Sequence, residues 1–261
     1  NYFGQLGQNN TTQYSSPVQI PGTTWSNGPN KSGFLNSQAF GAIKTDGTLW
    51  VWGTEFAGSL GQNSASINYS SPVQIPGTTW SSISDNRTTN GGILSTKTDG
   101  TLWAWGLNTQ GQLGQNNTIS YSSPVQIPGN TWSSISSGYF SLATKTDGTL
   151  WAWGINNTGQ LGQNNGTSYS SPVQIPGTSW KNIGLSATAG GGSPLATKTD
   201  GTLWSWGFNA YGQLGVNNRT PYSSPVQIPG LTWSSVAGSN NSAAALKTDG
   251  TLWSWGVNSG N

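Results

Sequence analysis

Hydrolytic chemistry needs carboxylates, and this chain has few to offer. Asp and Glu together number seven, and His and Cys are absent. Five of the seven acids are Asp46, Asp99, Asp147, Asp200 and Asp249, each inside the tetrapeptide Lys-Thr-Asp-Gly. Only Glu55 and Asp85 stand outside that pattern. A glycosidase flanks the scissile bond with two carboxyl groups, and nothing else in the chain supplies a ready general base near neutrality. Glu55 and Asp85 fall in different segments of the chain, so a carbohydrate-active enzyme built on them would require the fold to bring them together. As solvated loop residues they would do no chemistry. No second acid lies at calcium-loop spacing from the five repeated Asp residues, and zinc, haem and thiol chemistry lack their usual ligands. The expectation is a protein that is not an enzyme and holds no cofactor or metal.

Fifteen Trp are the second chemical inventory. They fall into three columns: Trp25, Trp80, Trp132, Trp180, Trp233; Trp50, Trp103, Trp151, Trp204, Trp253; and Trp52, Trp105, Trp153, Trp206, Trp255. Indole faces stack well on pyranose rings, which would make a glycan platform. Recurrence in every unit favours packing between repeated elements, because each Trp buries a large area wherever the geometry repeats. At most one column is left for a ligand. The Gly-Gln-Leu-Gly elements, such as Gly111–Gly114 and Gly159–Gly162, lack the Gly-Lys-Ser/Thr ending of a phosphate loop. They read as turns anchored by one buried Leu.

The elements that position these residues follow from a repeat. Lys-Thr-Asp-Gly-Thr-Leu-Trp-x-Trp-Gly occurs at Lys44–Gly53, Lys97–Gly106, Lys145–Gly154, Lys198–Gly207 and Lys247–Gly256. A period near fifty residues makes each copy one supersecondary unit that buries its apolar face only against a neighbour. In the third unit, Ser141–Lys145 and Thr149–Gly154 alternate as strands around the Asp147-Gly148 turn. An Asp-Gly pair between such runs predicts a tight hairpin with positive φ. Ser123–Ile127 and Trp132–Ile135 supply two more strands. Four short antiparallel strands per unit predict an all-β, five-bladed β-propeller of four-stranded blades. A β-solenoid is the rival, with shorter rungs and no tight hairpins. Residues 1–261 form one domain, expected to close by pairing its N-terminal and C-terminal segments, which would remove two exposed edges.

Only 6% of residues are charged and the net charge is +2. Such a field is too weak to imply nucleic acid as a partner. No run of eighteen apolar residues is present, so no membrane insertion is expected. No signal peptide is visible, and Asn1 opens in mid-repeat, as a processed, trimmed or partial chain would.

The strings Asp99-Gly100-Thr101-Leu102-Trp103 and Trp105-Gly106-Leu107-Asn108, continuing to Gly111-Gln112-Leu113-Gly114, resemble the regulator of chromosome condensation repeat family. That resemblance covers almost the whole chain and implies a β-propeller, typically of seven blades, whereas five units are present here. Family members include a nucleotide exchange factor for a small GTPase that also binds chromatin, and interaction modules of ubiquitin ligases and secreted proteins. The exchange factor uses an inserted wedge, and no unit here carries one. The Asn/Ser/Thr-rich units also resemble repeat proteins of marine bacteriophages and environmental bacteria.

The units differ mainly between the first Trp column and the turn Lys: Ser26–Ile43, Ser81–Thr96, Ser133–Thr144, Lys181–Thr197 and Ser234–Leu246. Variation held on a rigid scaffold is where binding specificity resides. Phe34, Phe40, Arg87, Tyr139, Phe140 and Lys181 are the distinctive side chains there and the candidate contacts for a partner. Neutral drift in solvated loops, with Phe40 and Phe140 tucked under a blade, is the plainer alternative. The expected function is a non-catalytic binding or structural module on a virion or cell surface, outside the cytoplasm, contacting a protein or glycan. An intracellular protein adaptor and an architectural subunit of a filament or shell, self-assembling or attached to a larger particle, are the alternatives.

Overall fold

The computed structural model describes residues 1–28, 30–84, 92–188, 191–239 and 241–257. Among them the chain is all β, and no helix is long and apolar enough to cross a membrane. The first sheet runs β1 (Ser32–Asn36), β2 (Ala39–Ile43), β3 (Leu49–Gly53) and β4 (Tyr69–Ile75). The second is β5 (Trp80–Ile83), β6 (Gly92–Lys97), β7 (Leu102–Gly106) and β8 (Tyr121–Ile127). The third is β9 (Trp132–Ser137), β10 (Phe140–Lys145), β11 (Leu150–Gly154) and β12 (Tyr169–Ile175). The fourth is β13 (Trp180–Thr188), β14 (Gly191–Lys198), β15 (Leu203–Gly207) and β16 (Tyr222–Ile228). The fifth holds β17 (Trp233–Gly238), β18 (Ser242–Lys247) and β19 (Leu252–Gly256). Every neighbouring pair is antiparallel and in chain order, the meander of a propeller blade.

The apolar cores lie between blades. Leu35, Leu49 and Val51 of the first sheet share a cluster with Trp80, Ile83 and Trp105 of the second. The same arrangement joins the second sheet to the third, the third to the fourth and the fourth to the fifth. Trp52, Trp105, Trp153 and Trp206 are fully buried there. Burying 150–250 Å² of ring contributes roughly 4–6 kcal/mol each. The third Trp column is thus the packing column that its recurrence predicts.

One expectation is corrected. The Asp-Gly hairpin is not a two-residue turn. Gly100 N donates to Lys97 O and Lys97 N to Thr101 O, and of Asp99 and Gly100 only Gly100 has positive φ, +77°. This is a type I turn followed by a glycine bulge, which keeps the strand twist and lets Asp stay right-handed. A Cβ on Gly100 would stand 2.2 Å from Asn130 O, so the next loop also requires glycine.

Pairing of the two ends is not seen among the described residues. Among the described residues β19 pairs with β18 alone, and Ser15–Ile20, which repeats the sequence of β4, has no ladder. The N-terminal segment is held at the other end of the array. Trp52 Nε1 donates to Gln5 O at 3.1 Å, and Asn9 N to Ser70 O at 2.6 Å. Leu252 and Trp253 are consequently 73% and 51% exposed, where their counterparts Leu150 and Trp151 are buried and half-buried.

Candidate functional site

Each Lys-Thr-Asp-Gly-Thr turn organises a small polar relay at one end of its blade. Asp99 Oδ1 accepts from Thr101 N at 3.0 Å and from Thr101 Oγ1 at 2.7 Å. Thr101 Oγ1 in turn accepts from Trp103 Nε1 at 2.9 Å. The other four units repeat the relay. The Thr side-chain bond, then the Thr backbone bond, hold the Asp99 carboxyl below the usual Asp range. Lys97 Nζ lies 4.7 Å from the Trp80 ring and 4.2 Å from the Trp103 ring, so the ammonium sits between two π faces. Trp80 meets both Trp103 and Trp105 edge-on at 6.1 Å.

The opposite end of each of the first four blades carries the Gly-x-Leu-Gly loop. Asn108 organises that loop, accepting from Leu113 N at 2.8 Å and donating to Ile119 O at 2.9 Å. Trp153 Nε1 of the next blade then locks it by donating to Gln112 O at 2.8 Å. The same bond joins Trp105 to Ser59, Trp206 to Gln160 and Trp255 to Gln213. In the first unit Glu55 takes the place of the Asn. It is buried, not the solvated loop residue its sequence context predicts. Its two carboxyl oxygens accept from Gly58 N at 2.5 Å and Leu60 N at 3.0 Å. Burial raises its pKa, against those backbone bonds, which lower it. Both carboxyl oxygens are thus engaged in holding the Glu55 loop. Asp85 lies outside the described residues.

The described strand ends beside the second and third hairpins meet. Ser84 Oγ and Ser137 Oγ are 2.6 Å apart, and Gly92 N donates to Gly138 O. Phe34 and Phe40 meet edge-on at 5.4 Å across the β1–β2 hairpin, with Phe40 5.2 Å from Trp52. Together with Leu6, Tyr14 and Val18 they line an apolar groove of about 390 Å³. Tyr139 is half-buried at the β9–β10 tip. Phe140 is core: it is 1% exposed and packs so closely on Gly192 that a Cβ there would stand 2.1 Å from its ring. Lys181 is exposed but follows Trp180, which pairs with Lys198 at the Asp-Gly end, so it does not join the tips. Arg87 lies outside the described residues.

A sequence pattern described as "Regulator of chromosome condensation (RCC1) repeat" matches residues 99–143, 147–192 and 200–246, just over half of the chain. The chain belongs to this family. Solved structures agree in fold. The crystal structure of human WBSCR16 superposes with a TM-score of 0.70 at 20% identity, covering 84% of this chain and 59% of that one. Saccharomyces cerevisiae Prp20p, in a crystal structure described with its binding properties to Gsp1p and histones, gives 0.70 at 20% identity over 84% and 56%. The structure of Kap60 bound to yeast RCC1 (Prp20) gives 0.69 at 20% identity over 84% and 54%. The chain therefore spans less than three fifths of the length of these solved chains.

Against the RCC1-repeat frame, the sequence did not point to Leu6, Tyr14 and Val18 as groove residues. They sit in a segment that elsewhere forms covered loop and outer strand, so the pattern hid their exposure. The Lys clamp was hidden too, because a Lys beside an Asp in a turn reads as a charge pair. The Asp is instead bonded to Thr. The recurring signal was Lys six residues before the middle-column Trp in every unit.

Proposed function

We propose that this RCC1-repeat propeller is a non-catalytic binding module that engages a protein partner through its hairpin-tip face. One observation carries the proposal: the five units are nearly identical except in the segments that form the first hairpin, and the described strand ends beside the second and third of those hairpins meet. Phe34, 40% exposed beside Phe40 in the groove between the first hairpin and the N-terminal segment, is the first anchor, since an aromatic partly sunk in an apolar groove is the usual centre of a contact surface. Tyr139 is the second. A protein partner is favoured by analogy with the solved propellers, one bound to Kap60 and one described as binding Gsp1p and histones. A position on a cell or virion surface fits the low charge and the Asn/Ser/Thr-rich blades.

The test pans a random-peptide display library and a printed glycan array on the chain, on a Phe34→Ala/Tyr139→Ala variant and on Lys181→Ala. Peptides that lose binding to the double variant and keep it on Lys181→Ala support the tip face. Equal selection by all three, or selection of glycans only, overturns it.

A further inference from the structure

The two ends of the chain carry complementary halves of one blade. In each of the first four sheets a Leu-Trp-x-Trp-Gly strand pairs with an outer Tyr-Ser-Ser-Pro-Val-Gln-Ile strand. β15 and β16 give the register: Leu203 stands opposite Ile228, Ser205 opposite Val226 and Gly207 opposite Tyr222. β19 repeats β15 residue for residue, and among the described residues its outer edge is unpaired. Tyr14–Ile20 repeats β16 residue for residue and has no ladder.

The N-terminal half is already shaped as the outer part of a blade. Gln8 Nε2 donates to Gln19 O at 2.9 Å, and Asn10 Nδ2 to the Tyr14 hydroxyl at 3.2 Å. The third blade makes the same two bonds, from Gln163 to Gln174 at 3.0 Å and from Asn165 to Tyr169 at 3.4 Å. Leu6 N donates to Asn1 Oδ1 at 2.9 Å, as Leu161 N does to Asn156 Oδ1. What this half lacks is the sheet that its loop Leu would cover. In the second blade Leu113 packs with Leu94 and Ala104 of β6 and β7, whereas Leu6 lines the open groove beside Phe34 and Phe40.

The fifth sheet shows the reverse deficit. Ala244 and Ser254 stand opposite each other as Leu94 and Ala104 do, yet they line an open cavity of about 540 Å³. Leu252, beside them on β19, is 73% exposed. The described cores join the sheets in chain order, first to fifth, and leave the two halves unjoined within one molecule. We propose that a second copy of this chain supplies the missing half. Tyr14–Ile20 and the Leu6 loop of one copy complete β17–β19 of another, in the β15–β16 register. Strand addition of this kind takes its affinity from main-chain bonds along a free edge and its specificity from side-chain pockets. The contact joins unlike surfaces, so copies add head to tail. The inference rests on the reading of the Phe34 groove as a protein-binding site and names its occupant, the fifth sheet of the next copy.

The test is sedimentation velocity on the unmodified chain and on two variants that each spoil one half. Leu252→Asp alters the sheet and Val18→Asp the strand, and both side chains are exposed in the single chain, so folding is spared. Ile119→Asp, at a 62% exposed position on the second blade, is the control. The unmodified chain and the control are expected to gain mass as concentration rises to on the order of 0.5 mM. Each variant alone should stay monomeric. Mixed, the two should pair one to one through the intact half of each, and the mass should stop at twice the monomer. A mixture that stays monomeric, or an unmodified chain that does so at the same concentration, overturns the proposal. Peptides still selected through Phe34 by a monomeric chain would leave the tip-face reading standing and remove this one alone.

Discussion

At the scale of single residues, the chain spends its few charges on structure. Glu55 is the clearest case, since both oxygens serve backbone amides in a buried loop. Burial raises its folded pKa, so the folded state holds its proton more tightly than the unfolded state does. The Glu55 contribution to stability is therefore full below the ordinary glutamate range and is lost as pH rises through the raised value. The turn Asp residues act in the opposite sense and lower window, because Thr bonds depress their pKa. Their stability is present above the ordinary Asp range and lost as pH falls. Comparing the native chain with Glu55→Gln cancels the Asp part. Urea midpoints measured from about pH 4 to 7 should show the native chain losing ground to Glu55→Gln as pH rises. A flat difference would mean that Glu55 ionises alike in both states.

At the scale of elements, one substitution made in two blades separates packing from mere recurrence. Leu150 and Leu252 occupy the same repeat position, yet Leu150 is fully buried under β12 and Leu252 is 73% exposed. Leu150→Ala should cost about 2–5 kcal/mol, and Leu252→Ala no more than about 0.5 kcal/mol, by chemical denaturation. The strands themselves were legible because Leu-Trp-x-Trp-Gly alternates strictly and Asp-Gly marks each hairpin. The turn type was not, since a two-residue and a bulged turn use the same Asp-Gly pair. Phe140 shows a second limit: Tyr139 and Phe140 are adjacent aromatics in a variable segment, and only the approach of Gly192 decides which one is core. Glu55 shows a third, because the Asn it replaces is recognised by position within the unit and not by residue type.

At the scale of the molecule, the fifth sheet is the weak end. Among the described residues β19 has no outer strand of the kind that covers β3, β7, β11 and β15. At high dilution its amides should exchange with solvent faster than those of the four equivalent strands, measured by hydrogen exchange under native conditions. Equal protection would show that Ser15–Ile20 or another strand covers it in solution. The indole bonds between blades add a direction to this hierarchy. Every one runs backward, from a Trp to the loop of the unit before it. Injury to one repeat therefore does different harm on its two sides: it frees the loop of its predecessor and leaves the indole N–H of its successor without an acceptor.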